Sequence, residues 1–230
     1  MDFTPIIESL PLYFHGLWIT VQLLVLSLAA GLMLAIPLGI TAASPSRLVS
    51  FLPKVYIYVF RGTPLLVQMF MIYHGMAQFD AVRESVLWVV FKEAYWCALI
   101  AFALNTAAYT AEILRGAIAQ TPAGEIEAAK ASGMSPATVL RRVVLPNSLR
   151  RALPAYGNEV IFMLHGTALA GVITLMDLFG AAKFVNSRYF VPFESFLTAG
   201  FFYLCITFVI VLLFRGLERR WHVHLRPREN

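Results

Sequence analysis

The sequence predicts an all-α membrane protein with five transmembrane helices, and three observations carry that prediction. The 230 residues are 59% hydrophobic and only 13% charged, with a mean hydropathy of +0.72, which is too apolar for an ordinary soluble domain. Five stretches with at most one charged residue in their interior are each long enough to supply the roughly 20 residues that cross a hydrocarbon core of about 30 Å. A charged, alanine-rich and glycine-hinged segment separates the third stretch from the fourth.

The five stretches run over residues 9–46, 55–80 (broken by Arg61), 94–115 (broken by Glu112), 152–176 (broken by Glu159) and 195–214. The N-terminal fifteen residues contain Asp2 and Glu8 but no Lys or Arg, unlike the basic start of a cleavable signal, so the first span is expected to stay. Orientation follows from Lys and Arg, which are retained on the cytoplasmic side. One set of loops carries Arg47, Lys54, Arg61, Arg115, Lys130, Arg141, Arg142, Arg150, Arg151, Arg215, Arg219, Arg220, Arg226 and Arg228, whereas the other carries Arg83, Lys92, Lys183 and Arg188. This bias predicts an N terminus outside, a C terminus inside and a cytoplasmic loop over 121–150. The net charge of +5 is thereby a matter of topology, and no nucleic-acid partner is expected. No repeat or linker divides the chain, so residues 1–230 read as a single transmembrane domain.

In the 121–150 loop, Thr121-Pro122 predicts the start of a short helix through Glu125, Glu127 and Lys130 that ends at Gly133. Ser135-Pro136 repeats the start signal, and Pro146 is expected to close a second short helix bearing Arg141 and Arg142. Ala128, Ala129 and Ala131 allow a close approach by another backbone. The segment reads either as a solvated amphipathic loop or as a surface gripped by another protein.

Polar residues at membrane depth are expensive, with a central carboxylate costing roughly 2.5–3.5 kcal/mol on insertion scales. Glu159 lies roughly 12 Å from the level of Arg151, and Asn105 roughly 15 Å from that of Arg115, at about 1.5 Å per helical residue. Asn105, Tyr109 and Glu112 share one face of the third span, and Glu159, Met163 and Gly166, with Thr167 at the edge, share a face of the fourth. Converging, they would form a polar pocket suited to a cationic or zwitterionic small solute. The alternatives are structural: Glu159 paired with Arg150, Asn105 bridging helices, Tyr109 packed, Glu112 in an interfacial ion pair with Arg115. His165 reads as a packed neutral residue. Arg61-Gly62-Thr63-Pro64 reads as the start of a helix near the cytoplasmic face or as a hinge.

Several chemistries have no motif. There is no G-x-x-x-x-G-K-[ST] phosphate loop, no H-E-x-x-H, no C-x-x-C and no G-x-S-x-G. Neither catalysis, a metal site nor a cofactor held by this chain is expected. Cys97 and Cys205 both fall within spans and predict no disulfide. His222 and His224 belong to a basic tail.

The loop spacing Glu127-Ala128-Ala129, three residues, Gly133, nine residues, Val143-Val144-Leu145-Pro146 resembles the cytoplasmic EAA loop of bacterial ABC importer permeases, with Val143 for the usual Ile. Arg61-Gly62-Thr63-Pro64, the stretch from Asn105 to Glu112, and the stretches Ala152 to Tyr156, Asn158 to Val160 and Leu164 to Ala170 resemble the polar amino acid importers, especially the M-type subunits of histidine and lysine/arginine/ornithine systems. The likeness covers nearly the whole chain and implies the ABC importer type I permease fold. It also implies a homologous Q-type permease partner, two cytoplasmic ATPase subunits that bind ATP and Mg, and a periplasmic amino-acid-binding protein, in the bacterial inner membrane. On that likeness Glu125, Glu127, Ala128, Ala129, Gly133, Arg141 and Arg142 couple to the ATPase, while Asn105, Tyr109, Glu159, Met163, Gly166 and Thr167 hold substrate. An ion-coupled secondary amino acid transporter is the rival reading.

Overall fold

The computed structural model describes residues 3–221. Within them the chain is helical almost throughout: after a short turn of helix at Thr4–Glu8, further helices follow, joined by short turns. Helix α1 (Leu10–Ala42) is 33 residues long. It is followed by α2 (Arg47–Gly62) and α3 (Leu65–Phe70), the latter extended by a π turn and a 3₁₀ turn to Gln78. Short helical turns at Asp80–Arg83 and Trp88–Phe91 lead into α4 (Ala94–Ala119). Next come α5 (Ala123–Ala131), the single turn α6 (Pro136–Val139), a π turn over Leu140–Val144, and α7 (Leu145–Thr167). A 3₁₀ turn (Ala168–Ile173), α8 (Leu178–Tyr189) and α9 (Pro192–Trp221) complete the chain.

Three helices, α1, α4 and α9, are long and apolar enough to cross a membrane unaided, and two bent pairs bring the possible number to five. The second expected span is not straight: α2 and α3 meet at 102°. Pro64 lacks an N–H and its ring pushes the preceding residue out of the helical region; Thr63 accordingly sits at φ −116°, ψ 143°. Arg61-Gly62-Thr63-Pro64 is thus the entry to a helix, with Pro64 at the cap of α3, and the chain bends there. The fourth expected span starts earlier than residue 152 and stops before 176. Thr174 takes a left-handed conformation (φ 70°), and Asp177 begins α8 by accepting the Gly180 N–H at 2.8 Å. The two arms of this pair meet at 46°, and α8 has no counterpart in the apolar-run count.

The centre of the bundle is the seam between α1 and α4. Between apolar helices in lipid, packing and small residues drive association, and α4 presents Ala101, Ala103, Ala107, Ala108 and Ala111, all buried. The approach is close enough that a Cβ added at Gly39 would sit 2.9 Å from the Ala111 carbonyl oxygen; only glycine fits. Leu23, Phe102, Met163 and Leu164 fill the common core with Met69 of α3. Hydrogen bonds tie the periphery to it: the Tyr13 hydroxyl donates to the Ser195 carbonyl at 3.1 Å, and the Tyr56 hydroxyl to the Leu104 carbonyl at 2.6 Å. The second of these pins α2 against α4 just before the bend.

In the 121–150 loop, Pro122 stands at the cap position of α5 rather than inside it, and no side chain caps that helix. The helix does start after Thr121-Pro122, but the Thr121 hydroxyl is buried without a partner and does not cap it. Gly133 follows the last turn at φ 79°, the left-handed conformation that terminates helices. Ser135 does cap α6, accepting the Thr138 N–H at 3.3 Å. Pro146 closes nothing: the helix runs on from Pro136 through Thr167. Pro146 has no N–H for the Arg142 carbonyl four residues back, and the chain opens into a π turn over Leu140–Val144, one of the recognised ways to absorb such a defect.

Candidate functional site

The bend between α2 and α3 leaves a cleft of about 670 Å³ against α4 and α7, lined by Arg61, Gly62, Thr63, Pro64, Leu65, Asn105, Tyr109, Ile113, Ala155, Asn158, Glu159, Phe162 and Met163. Asn105, Tyr109, Glu159 and Met163 thus come together as their helical spacing predicts. Glu159 is 6% exposed, and its carboxylate accepts the Thr106 hydroxyl at 3.0 Å. That bond joins α4 to α7, so Glu159 and the residue next to Asn105 meet side by side. Arg150 is not its partner.

Asn105, also 6% exposed, donates to the Gln68 side-chain oxygen at 3.0 Å. The Gln68 amide nitrogen in turn donates to the Phe60 carbonyl at 2.8 Å, the Thr63 carbonyl at 3.1 Å and the Thr63 hydroxyl at 2.7 Å. These bonds satisfy the carbonyls that the broken helix leaves without an intrahelical donor, and they fasten the rim of the cleft to α4.

Arg61 places its guanidinium 5.3 Å from the centre of the Tyr109 ring, within cation–π range, and 3.7 Å from Glu112. Glu112 is held by Arg115 through two bonds of 2.7 Å, the expected ion pair. The cleft therefore carries an acid on one wall and a guanidinium on another, with amide and phenol groups between them.

Two residues grouped with the site from sequence do not line it. Gly166 faces α3, where an added Cβ would lie 3.1 Å from Leu65 Cδ2. Thr167 is fully buried, its hydroxyl spent on the Leu164 carbonyl at 2.6 Å. Both lie where α7 gives way to the 3₁₀ turn, beyond the part of its surface that faces the cleft. Sequence reasoning missed Arg61, Thr63, Asn158 and Phe162 as lining groups. The signals were present: an arginine beside a Thr-Pro break inside an apolar run, and positions three or four from Glu159 or next to it.

In the loop segment, Glu127, Ala128, Gly133, Arg141 and Arg142 are exposed. Ala129 is buried against Val139 and Val144, so it packs the two arms of the loop together. Glu125 accepts the Asn147 amide at 2.9 Å, and Arg151 reaches the Gln120 carbonyl. Both contacts strap the segment to the base of α7.

The family of binding-protein-dependent transport system inner membrane components matches residues 35–223. The chain is 46% identical to the nopaline transport system permease protein NocM of Agrobacterium fabrum over 99% of its own length and 95% of the relative's. It is 44% identical to the histidine/lysine/arginine/ornithine transport system permease protein HisM of Escherichia coli, covering 93% and 90%. A crystal structure of an amino acid ABC transporter with histidines superposes with a TM-score of 0.85 at 32% identity, over 96% of this chain and 99% of that one. An inward-facing MetNI methionine ABC transporter gives 0.79 over the same shares at 18% identity, a likeness of fold.

Proposed function

Because the chain belongs to the binding-protein-dependent transport system inner membrane component family, we propose that it is the permease subunit of an ATP-driven ABC importer that moves basic or polar L-amino acids across the bacterial inner membrane. In this reading residues 1–230 form one domain crossing five times, with the N terminus periplasmic and the C terminus cytoplasmic. The C-terminal part of that assignment, including Arg226 and Arg228, lies outside the described residues. A homologous Q-type permease completes the pathway, two ATPase subunits bind ATP and Mg and grip the segment around Glu127, and a periplasmic amino-acid-binding protein delivers the solute.

The single observation that carries this is that Glu159 and Arg61 line one cleft, with Arg61 also 3.7 Å from Glu112. An amino acid presents an ammonium and a carboxylate, and two opposite charges flanked by Asn105 and Tyr109 match both ends. A volume of about 670 Å³ falls in the usual range for small-molecule sites. In a site of lowered dielectric such charge matching counts for more than in water.

Pulling down the tagged chain and identifying its companions tests the assembly, and uptake of labelled arginine and histidine by the reconstituted complex tests the activity. Retention of a second permease and an ATPase, with uptake strictly dependent on internal ATP, is the expected result. Uptake by the isolated chain in vesicles without ATP supports the secondary transporter instead.

A further inference from the structure

Two further cavities lie toward the end of the bundle where α7 begins and α9 finishes, and the inner of them meets the amino acid cleft at Ile113. One, of about 470 Å³, is lined by Arg141, Arg150 and Arg220 together with Leu145, Pro146, Leu149 and Trp221, and no carboxylate lines it. None of the three arginines is ion-paired among the described residues. The other, of about 190 Å³, runs between α1, α4 and α7 past Leu32, Ile36, Leu114 and Leu153, and it too is bounded by Leu149 and Trp221. The two cavities therefore share a wall, one cationic and the next almost wholly apolar.

We propose that this composite groove binds an anionic glycerophospholipid, with its phosphodiester between Arg150 and Arg220 and an acyl chain along the apolar part. A soluble anion would match the first cavity but would gain nothing from the second; an amphiphile uses both. Guanidinium is the side chain suited to phosphate oxygens, basic residues at the membrane surface attract anionic headgroups, and tryptophan belongs at the headgroup level. The placement of this end at the membrane surface rests on the topology proposed above.

The test uses the purified whole importer in mild detergent, titrated with phosphatidylglycerol, phosphatidylcholine or inorganic phosphate and read by native mass spectrometry. Phosphatidylglycerol should be retained over phosphatidylcholine. At about 5-fold per arginine, Arg150→Gln with Arg220→Gln should weaken phosphatidylglycerol roughly 30-fold and leave phosphatidylcholine unchanged. Leu149→Trp, which keeps every charge but fills the shared wall, should also lower phosphatidylglycerol retention, and it decides the matter if the arginine variant does not assemble. Equal retention in wild type and Leu149→Trp overturns the proposal. So does displacement of the lipid by equimolar inorganic phosphate, or retention that appears only after deletion of residues 222–230. The readout involves no transport, so a wrong assignment of the carried solute leaves it standing, and the reverse.

Discussion

Replacing Glu159 by Gln tests the amino acid cleft most directly, because the two side chains have nearly the same volume and the structure separates the local cost from the functional one. The carboxylate accepts one hydroxyl, from Thr106 at 3.0 Å, and the glutamine carbonyl oxygen can accept the same bond, so the α4–α7 contact should change by less than about 1 kcal/mol. What disappears is the charge facing a solute ammonium or guanidinium. A hydrogen bond to a charged group contributes about 1.5–3 kcal/mol, a factor of roughly 10 to 150 in affinity. Arg61, proposed to face the solute carboxylate, is unchanged by the substitution. The expected result is assembly at wild-type yield with KM for arginine and histidine raised at least tenfold in ATP-loaded proteoliposomes. A KM within about twofold of wild type for both would falsify the assignment of Glu159 to the solute.

Gln68→Leu should lower the Tm of the purified complex by removing the donors to Phe60 and Thr63 and the acceptor for Asn105, at a cost of about 2 kcal/mol or more; an unchanged melting curve would mean that the bend is held elsewhere. Gly39→Ala should destabilise by about 1–3 kcal/mol through overpacking against the Ala111 carbonyl. Gly116→Ala, with nothing within 4 Å of the new Cβ, should instead stabilise α4 by about 0.5–1 kcal/mol, and thermal unfolding of both variants checks the contrast. Gly133→Val forces a β-branched residue into a left-handed conformation (φ 79°) costing about 1–3 kcal/mol, and it should reduce co-purification of ATPase chains; normal co-purification removes Gly133 from the coupling role.

Hydropathy found the apolar helices because the bilayer demands long uninterrupted runs, and helical periodicity found Asn105, Tyr109, Glu159 and Met163 because faces of regular helices are predictable from spacing. Both methods fail where the helix itself fails. The cleft owes its shape to the break at Thr63-Pro64, which turns α3 by 102° from α2 and carries Arg61 to the rim; a periodicity argument has no term for that rotation. Gly166 and Thr167 are still within regular α7, so their phase was legible; what spacing could not show is that Leu65 of α3 lies over Gly166 and that the Thr167 hydroxyl turns back to the Leu164 carbonyl. Pro146 misled in the opposite direction. A proline usually ends a helix, but one π turn absorbed the missing N–H, and the helix that should have stopped continues to the cleft.

That continuity bears on how the two halves of the proposed function communicate. From Arg142 to Glu159 the chain is helical without a break, a distance of about 26 Å at 1.5 Å per residue. At one end the helix is strapped to α5 by Asn147 and Glu125 and packed through Val139 and Val144 on Ala129; at the other it is bonded to α4 through Thr106. Force applied to α5 thus reaches Glu159 through a stiff rod rather than through a loop. The helix has one soft place, the π turn over Leu140–Val144, which carries Arg141 and Arg142 and lies on the loop side of the Asn147–Glu125 strap. Reversing a two-state preference from 1:99 to 99:1 takes about 5.5 kcal/mol of differential binding. Work entering at Asn147 bypasses that soft place, whereas work entering at Arg141 or Arg142 passes through it. Pro146→Ala restores the missing donor and should remove the π turn, so ATP-driven uptake becomes the measure of whether that turn is a hinge the cycle needs or slack that it tolerates.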